Sequence, residues 1–231
     1  FLAVTLVLIA HWIGDDKVGF YPSYLGVCMF FVLSGFLIGK ILYQLYLKED
    51  FTIKTVFYFL KRRWYRTLPN YFLILLVNLA IASIVGYTAS SWWKYFLFLQ
   101  NLNTTMLPFF PESWSLSVEE FAYILLPFFL LILGFITKPK NKRGFFLWSI
   151  IILIGIFFCA KMYYQATTLN TTLSQWNLSL KAVVVYRLDS IFIGVLGSWI
   201  YLNYTSLWQK SKSIFLVIGM VLFFFLFVGI G

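Results

Sequence analysis

Apolar residues run along this chain in long blocks rather than in alternation. Stretches 26–46, 70–87, 119–136, 144–161, 182–201 and 213–231 are each apolar almost throughout. A helix needs about 20 such residues to cross the hydrocarbon of a bilayer, so each block predicts a crossing helix. A further apolar run, 1–13, is too short to cross unaided, and the chain ends inside another. The expected architecture is all-α, a polytopic transmembrane helix bundle of about seven spans with the first and last incomplete. It is expected to form one domain over residues 1–231, a piece of a longer protein truncated at both ends.

The stretch 91–111 is also apolar and aromatic, but Lys94, Gln100, Asn101, Asn103, Pro108 and Pro111 interrupt it. Aromatic residues concentrate at membrane interfaces, and the uninterrupted part is short, so it is expected to lie in the interface. Charge supports that choice. The connections 47–69, 137–143 and 203–212 carry Lys48, Lys54, Lys61, Arg62, Arg63, Arg66, Lys138, Lys140, Lys142, Arg143, Lys210 and Lys212. The opposite connections carry only Lys17, Lys94, Lys161 and Lys181. Basic residues mark cytoplasmic loops, and this bias survives only if 91–111 does not cross.

Composition agrees with a membrane protein: 61% of residues are hydrophobic, 22% aromatic and 11% charged, against about 25% charged in soluble domains. The net charge of +10 lies in short loops, which argues against a nucleic-acid partner. Cys28 and Cys159 sit in apolar runs without metal-ligand spacing, so neither a metal site nor a redox role is expected.

Against this background the polar residues within or beside spans stand out, because intramembrane ionisable groups are costly. By the expected topology His11, Glu119, Arg187 and Asp189 fall near the outer side, and Arg62, Arg63 and Arg66 at the inner face. His11, the single histidine, can act as a base or an acyl acceptor, or be a structural hydrogen-bonding residue. Glu119 can orient and charge-stabilise it. The ordinary alternative is capping chemistry, with Ser115 or Ser117 leading a helix. Arg63 and Arg66, three apart, present paired guanidinium groups to phosphate or serve only as topogenic charge. Pro69 is expected to end or bend that segment. Arg187 and Asp189 are too close to face each other and would each reach a neighbouring span. Ser34-Gly35 reads as close helix packing.

Taken in order, these segments resemble the acyltransferase type 3 family of membrane O-acyltransferases. The resemblance runs through His11, FFVLSGFLI (30–38), RRWYRTLPNYF (62–72), SWSLSVEEFAY (113–123) and YRLDSIFIGVLGSW (186–199). It implies transfer of an acyl group, usually acetyl from acetyl-CoA as cosubstrate, onto a hydroxyl of an extracytoplasmic glycan. His11 would be the essential histidine, and Arg63 and Arg66 the arginine pair. Glu119, Tyr123 and Arg187 match further motif positions, with Ser34 and Asp189 inside matching motifs. Two features depart from the family: an arginine expected upstream of His11 would precede Phe1, and the family has about ten spans. The expected partners are an acyl-CoA donor, a carbohydrate acceptor of the cell envelope and membrane lipid, with localisation in a bacterial plasma membrane. A reading of another class is a transporter using the outer polar cluster as a proton relay, although no inverted repeat is visible.

Overall fold

The computed structural model describes residues 3–5, 8, 12, 20–48, 51–169 and 172–228. His11 lies outside the described residues, as do Asp15 and Asp16. Among the described residues six long helices follow one another: α1 (Phe20–Leu47), α2 (Ile53–Val85), α3 (Trp114–Thr137), α4 (Lys142–Thr167), α5 (Leu188–Asn203) and α6 (Thr205–Val228). Among the described residues there is no strand. The all-α membrane bundle expected from the apolar blocks is the fold observed.

Among the described residues four helical stretches are long and apolar enough to cross a membrane: Tyr24–Leu47, Ile53–Val85, Pro111–Thr137 and Lys142–Thr167. Their outer faces are apolar as well, as at Leu73, Phe135 and Trp148. In water such faces would be a liability, but in lipid they need no cover.

Two expected boundaries move. The block 182–201 becomes α-helical only at Leu188, in a helix of 16 residues that ends at Asn203, after a 3-10 turn at Val184–Tyr186. The preceding residues form irregular turns with a five-residue π-helical stretch at Asn177–Lys181. Arg187 is therefore the N-cap of α5, and Asp189 lies in its first turn. Neither lies one to two turns inside a span. In addition, α2 begins at Ile53, far upstream of the block 70–87, and continues through Pro69. A proline inside a helix removes one hydrogen bond, and the packing of both halves of α2 offsets that loss. Its first half joins the main core through Val56, Phe59 and Leu60. Its second half forms a separate core of Tyr71 and Leu75 with Tyr95 and Met106.

The segment 91–111 contains one helical turn, Trp93–Phe96, and no crossing helix. It folds back on the bundle, with the side chains of Gln100 and Asn101 fully buried. Gln100 donates to Ser117 Oγ at 2.6 Å, and Asn101 donates to the Ala182 carbonyl at 2.5 Å. The Val184 and Val185 amides in turn donate to the carbonyls of Asn101 and Leu102. These bonds satisfy the side-chain N–H donors of Gln100 and Asn101 and the backbone beside them, whereas Gln100 Oε1 and Asn101 Oδ1 are buried without a partner among the described residues.

The closest helix pairing joins α1 and α5. A Cβ added at Gly194 would lie 2.0 Å from the Val32 carbonyl oxygen, and one at Gly35 would lie 1.9 Å from that of Ile191. Glycine lets the two backbones touch, which is how helices associate where lipid removes the hydrophobic drive. The packing reading of Ser34-Gly35 holds for Gly35. Ser34 points elsewhere.

Candidate active site

Arg63 and Arg66, expected at the inner face, lie beside Glu119, expected at the outer one. From Ile53 to Arg63 the helix rises about 15 Å, so Arg63 lies well inside α2 and not in its first turn. There α2 meets the beginning of α3. Arg63 places its guanidinium 5.4 Å from the centre of the Tyr123 ring and 6.0 Å from that of Phe59. Arg63 and Arg66 both act electrostatically on Glu119. The expected separation of an inner arginine cluster from outer carboxylates does not hold. The cause is the length of α2, which starts at Ile53 and carries its basic turn along the bundle to the Glu pair.

A short polar chain crosses three of the expected site positions. Tyr123 donates its hydroxyl to Glu119 Oε2 at 2.7 Å, and the Ser34 hydroxyl lies 2.8 Å from the Tyr123 oxygen. Since Tyr123 has only one proton to give, Ser34 is the donor of that second bond. Glu119 and Tyr123 are four apart and share a face of α3, while Ser34 reaches them from α1. Glu119 is half-buried.

Glu120, the other half of the pair, has no role assigned from the sequence, yet it is the more buried at 2% exposure. It accepts from the Trp64 indole N–H at 2.9 Å and from the Thr67 hydroxyl at 3.1 Å. Trp64 and Thr67 are three apart, interleaved with Arg63 and Arg66, so one carboxylate fixes the rotation of the arginine-bearing turn. The adjacency of two glutamates at a span boundary was the sequence signal; their opposite facing was not.

Next to this turn, α1 and α2 enclose a cavity of about 380 Å³ lined by Ile41, Leu45, Phe59, Arg62, Arg63 and Arg66, with Tyr58 at its edge. Guanidinium groups on one wall and aliphatic side chains on the other suit a ligand with phosphates and an apolar arm. Among the described residues no group of His, Cys, Asp and Glu side chains could hold a metal ion.

The capping alternative for Ser115 and Ser117 is not what the helix start uses. Helix α3 begins at Trp114 with Ser113 as its N-cap. Ser113 donates to the Phe110 carbonyl, and Ser117 donates to the Ser113 carbonyl while accepting from Gln100.

Arg187 and Asp189 each reach a different helix and stand apart from the Glu119 chain. Arg187 donates to the Tyr24 hydroxyl at 2.9 Å and to Cys28 Sγ at 3.1 Å, both on α1. Asp189 forms an ion pair with Lys161 of α4 and accepts from the Ser190 amide.

The order of these motifs along one helical chain is decisive when set beside known proteins. A family model for the acyltransferase domain, type 3, matches residues 1–231. The chain belongs to that acyltransferase family. Among curated proteins it is 30% identical over 173 residues to a Staphylococcus aureus (strain COL) protein whose name provisionally calls it an O-acetyltransferase. That match covers 67% of this chain and 28% of the relative. It is 32% identical over 152 residues to the peptidoglycan O-acetyltransferase OatA of Listeria monocytogenes, covering 58% of this chain and 23% of the relative. It is 29% identical over 136 residues to the O-acetyltransferase OatA of Staphylococcus aureus (strain NCTC 8325 / PS 47), covering 52% and 22%. The chain thus spans about a quarter of the length of the relatives it matches. No solved structure matches it significantly.

Proposed function

We propose that this acyltransferase domain moves an acetyl group from acetyl-CoA onto a hydroxyl of an extracytoplasmic, cell-envelope carbohydrate, in a bacterial plasma membrane. One observation carries the reading: the guanidinium-lined cavity at Arg62, Arg63 and Arg66 is contiguous, through Arg63, with the Tyr123–Glu119–Ser34 chain. The nucleotide phosphates of the donor take the arginines, and its pantetheine arm lies along Ile41, Leu45 and Phe59. The thioester then comes to the polar chain. His11 is the base or the transient acyl carrier there, and Glu119 orients it. In the transfer the hydroxyl oxygen attacks the thioester carbonyl, a C–O bond forms and the C–S bond breaks. The hydroxyl proton passes to the base and the leaving thiolate is protonated to free CoA. The names of the O-acetyltransferase relatives support the acetyl group, and that of the Listeria relative supports an envelope glycan.

The test uses two variants of the purified protein. Lysine keeps positive charge but lacks the planar fork of guanidinium, so Arg63→Lys with Arg66→Lys should keep the protein inserted and weaken acetyl-CoA binding. The loss expected is about 1.5–3 kcal/mol for each charge-assisted bond lost, reduced where water competes. The loss should shrink for acetyl-pantetheine, which has no nucleotide phosphates. His11→Ala should abolish thioester turnover while donor binding persists. Parental binding and turnover in the double lysine variant would reduce the arginines to topogenic charge and remove the donor from this cavity.

A further inference from the structure

At the end of the bundle that carries the basic loops, a cavity of about 470 Å³ lies between the end of α1, the end of α3 and the start of α4. Its walls divide by chemistry. Leu130, Leu131 and Phe135 form an apolar side, and Lys138 and Lys142 contribute ammonium groups. Phe135 is exposed, so the apolar side continues onto the face that lipid covers.

Three features around this cavity run against local preference. Lys138 ends α3 in the left-handed region at φ 44°, where glycine or asparagine is the ordinary residue. Lys142 and Arg143 open α4 with no acidic residue in its first turn, although the positive end of a helix disfavours cations. Tyr46 is 4% exposed and lines the cavity, yet its hydroxyl makes no hydrogen bond among the described residues. A buried phenol ordinarily finds a partner. This hydroxyl lies over Gly134, where an added Cβ would come to 3.9 Å from it. Lys142 donates to the Lys48 carbonyl at 2.7 Å, and an ammonium has three protons to give. Among the described residues neither Lys138 nor Lys142 forms an ion pair. Two ammonium groups and a phenol thus line one space beside an apolar wall that reaches the lipid. That donor set fits a phosphate attached to an acyl chain.

We propose that this cavity holds an anionic glycerophospholipid. Its phosphate lies between Lys138 and Lys142 and accepts from the Tyr46 hydroxyl, and one acyl chain runs along Leu131 and Phe135. The lipid ties the end of α1 to the α3–α4 hairpin. Such a site is independent of acetyl transfer.

Dioleoylphosphatidylglycerol and dioleoylphosphatidylcholine share their acyl chains and differ in headgroup charge. Each is titrated into the purified chain in neutral micelles, with bound lipid counted by native mass spectrometry and the unfolding midpoint followed. Phosphatidylglycerol should bind about tenfold tighter and raise the midpoint. Lys138→Asn removes one charge and suits the left-handed backbone better. That variant should fold at least as stably in neutral micelles, yet lose about fivefold in affinity for phosphatidylglycerol. Tyr46→Phe keeps every charge and should lose about threefold or more. Equal affinity of the parent for the two lipids overturns the site, as does a preference undiminished in both variants. An equal loss in Lys210→Gln, on another basic loop, would mean attraction to the basic surface as a whole and overturns it too. Glu49 and Asp50 lie outside the described residues. A preference that emerges only in Glu49→Gln with Asp50→Asn would assign the lysines to the chain's own carboxylates. Displacement of the lipid by acetyl-CoA would assign the cavity to a soluble phosphate ligand. Either result overturns the lipid site.

Discussion

Trp64 donates its indole N–H to Glu120 across the contact between α2 and α3, at 2.9 Å, and the Thr67 hydroxyl shares the same carboxylate. A buried carboxylate thereby serves as the lock for a turn whose other side chains are Arg63 and Arg66. The arginines depend on it for their direction although neither is its hydrogen-bond partner.

Removal of that lock should be felt at the donor cavity. In Glu120→Ala the half-buried Trp64 indole loses its acceptor, at a cost of about 1–3 kcal/mol, while Thr67 keeps the Arg63 carbonyl, so the thermal midpoint in detergent should fall. The acetyl-CoA KM should rise more than kcat falls, because positioning is lost and not chemistry. Glu120→Gln keeps a carbonyl acceptor and should recover part of both. A kcat defect with unchanged KM in Glu120→Ala would place Glu120 in the chemistry and not behind the arginines.

The Ser34–Tyr123–Glu119 chain predicts a different signature. Tyr123→Phe deletes one hydroxyl and keeps the ring that faces Arg63. Glu119 then loses its donor, and kcat should drop about tenfold or more, the equivalent of about 1.4 kcal/mol, with donor KM nearly unchanged. Ser34→Ala should add little on top of Tyr123→Phe, since residues in one network are not additive. Full turnover in Tyr123→Phe would leave the chain as packing only.

Backbone contact between α1 and α5 gives a stability test free of chemistry. Gly194→Ala sets a methyl group 2.0 Å from the Val32 oxygen, where only movement of a helix can relieve it. Overpacking of this kind costs about 1–3 kcal/mol. Gly155→Ala on α4 meets nothing within 4 Å, and it should be neutral or slightly stabilising because alanine favours helix over glycine. Equal unfolding midpoints for the two variants would contradict the close approach of α1 and α5.

Topology is open to chemical labelling. Cysteines placed at Lys140 and Lys210 should be protected from an impermeant thiol reagent in intact cells, whereas one at Thr168 should react. Reaction at Lys140 would mean that the orientation set by the basic loops is wrong, and Arg187 would then lie at the cytoplasmic side.

Much of the architecture was legible without coordinates, because lipid imposes a length rule that apolar blocks either meet or fail. The membrane-bundle class follows from blocks such as 26–46 and 144–161. The non-crossing character of 91–111 follows from its polar interruptions and from the charge bias. The chemistry-bearing residue types at Glu119, Arg63 and Arg66 were also visible, since charged groups are rare in such a composition. Depth and pairing were not. Hydropathy starts a span where charge ends, so it began α2 near Asn70, whereas the helix starts at Ile53 and carries Arg63 inward to Tyr123. Charges inside a bundle are paid for by partners on other helices, and a linear sequence does not name those partners. Only the tertiary packing decided that Glu119 turns to Tyr123 while Glu120 turns to Trp64, and that Asp189 answers Lys161 while Arg187 turns to Tyr24 and Cys28.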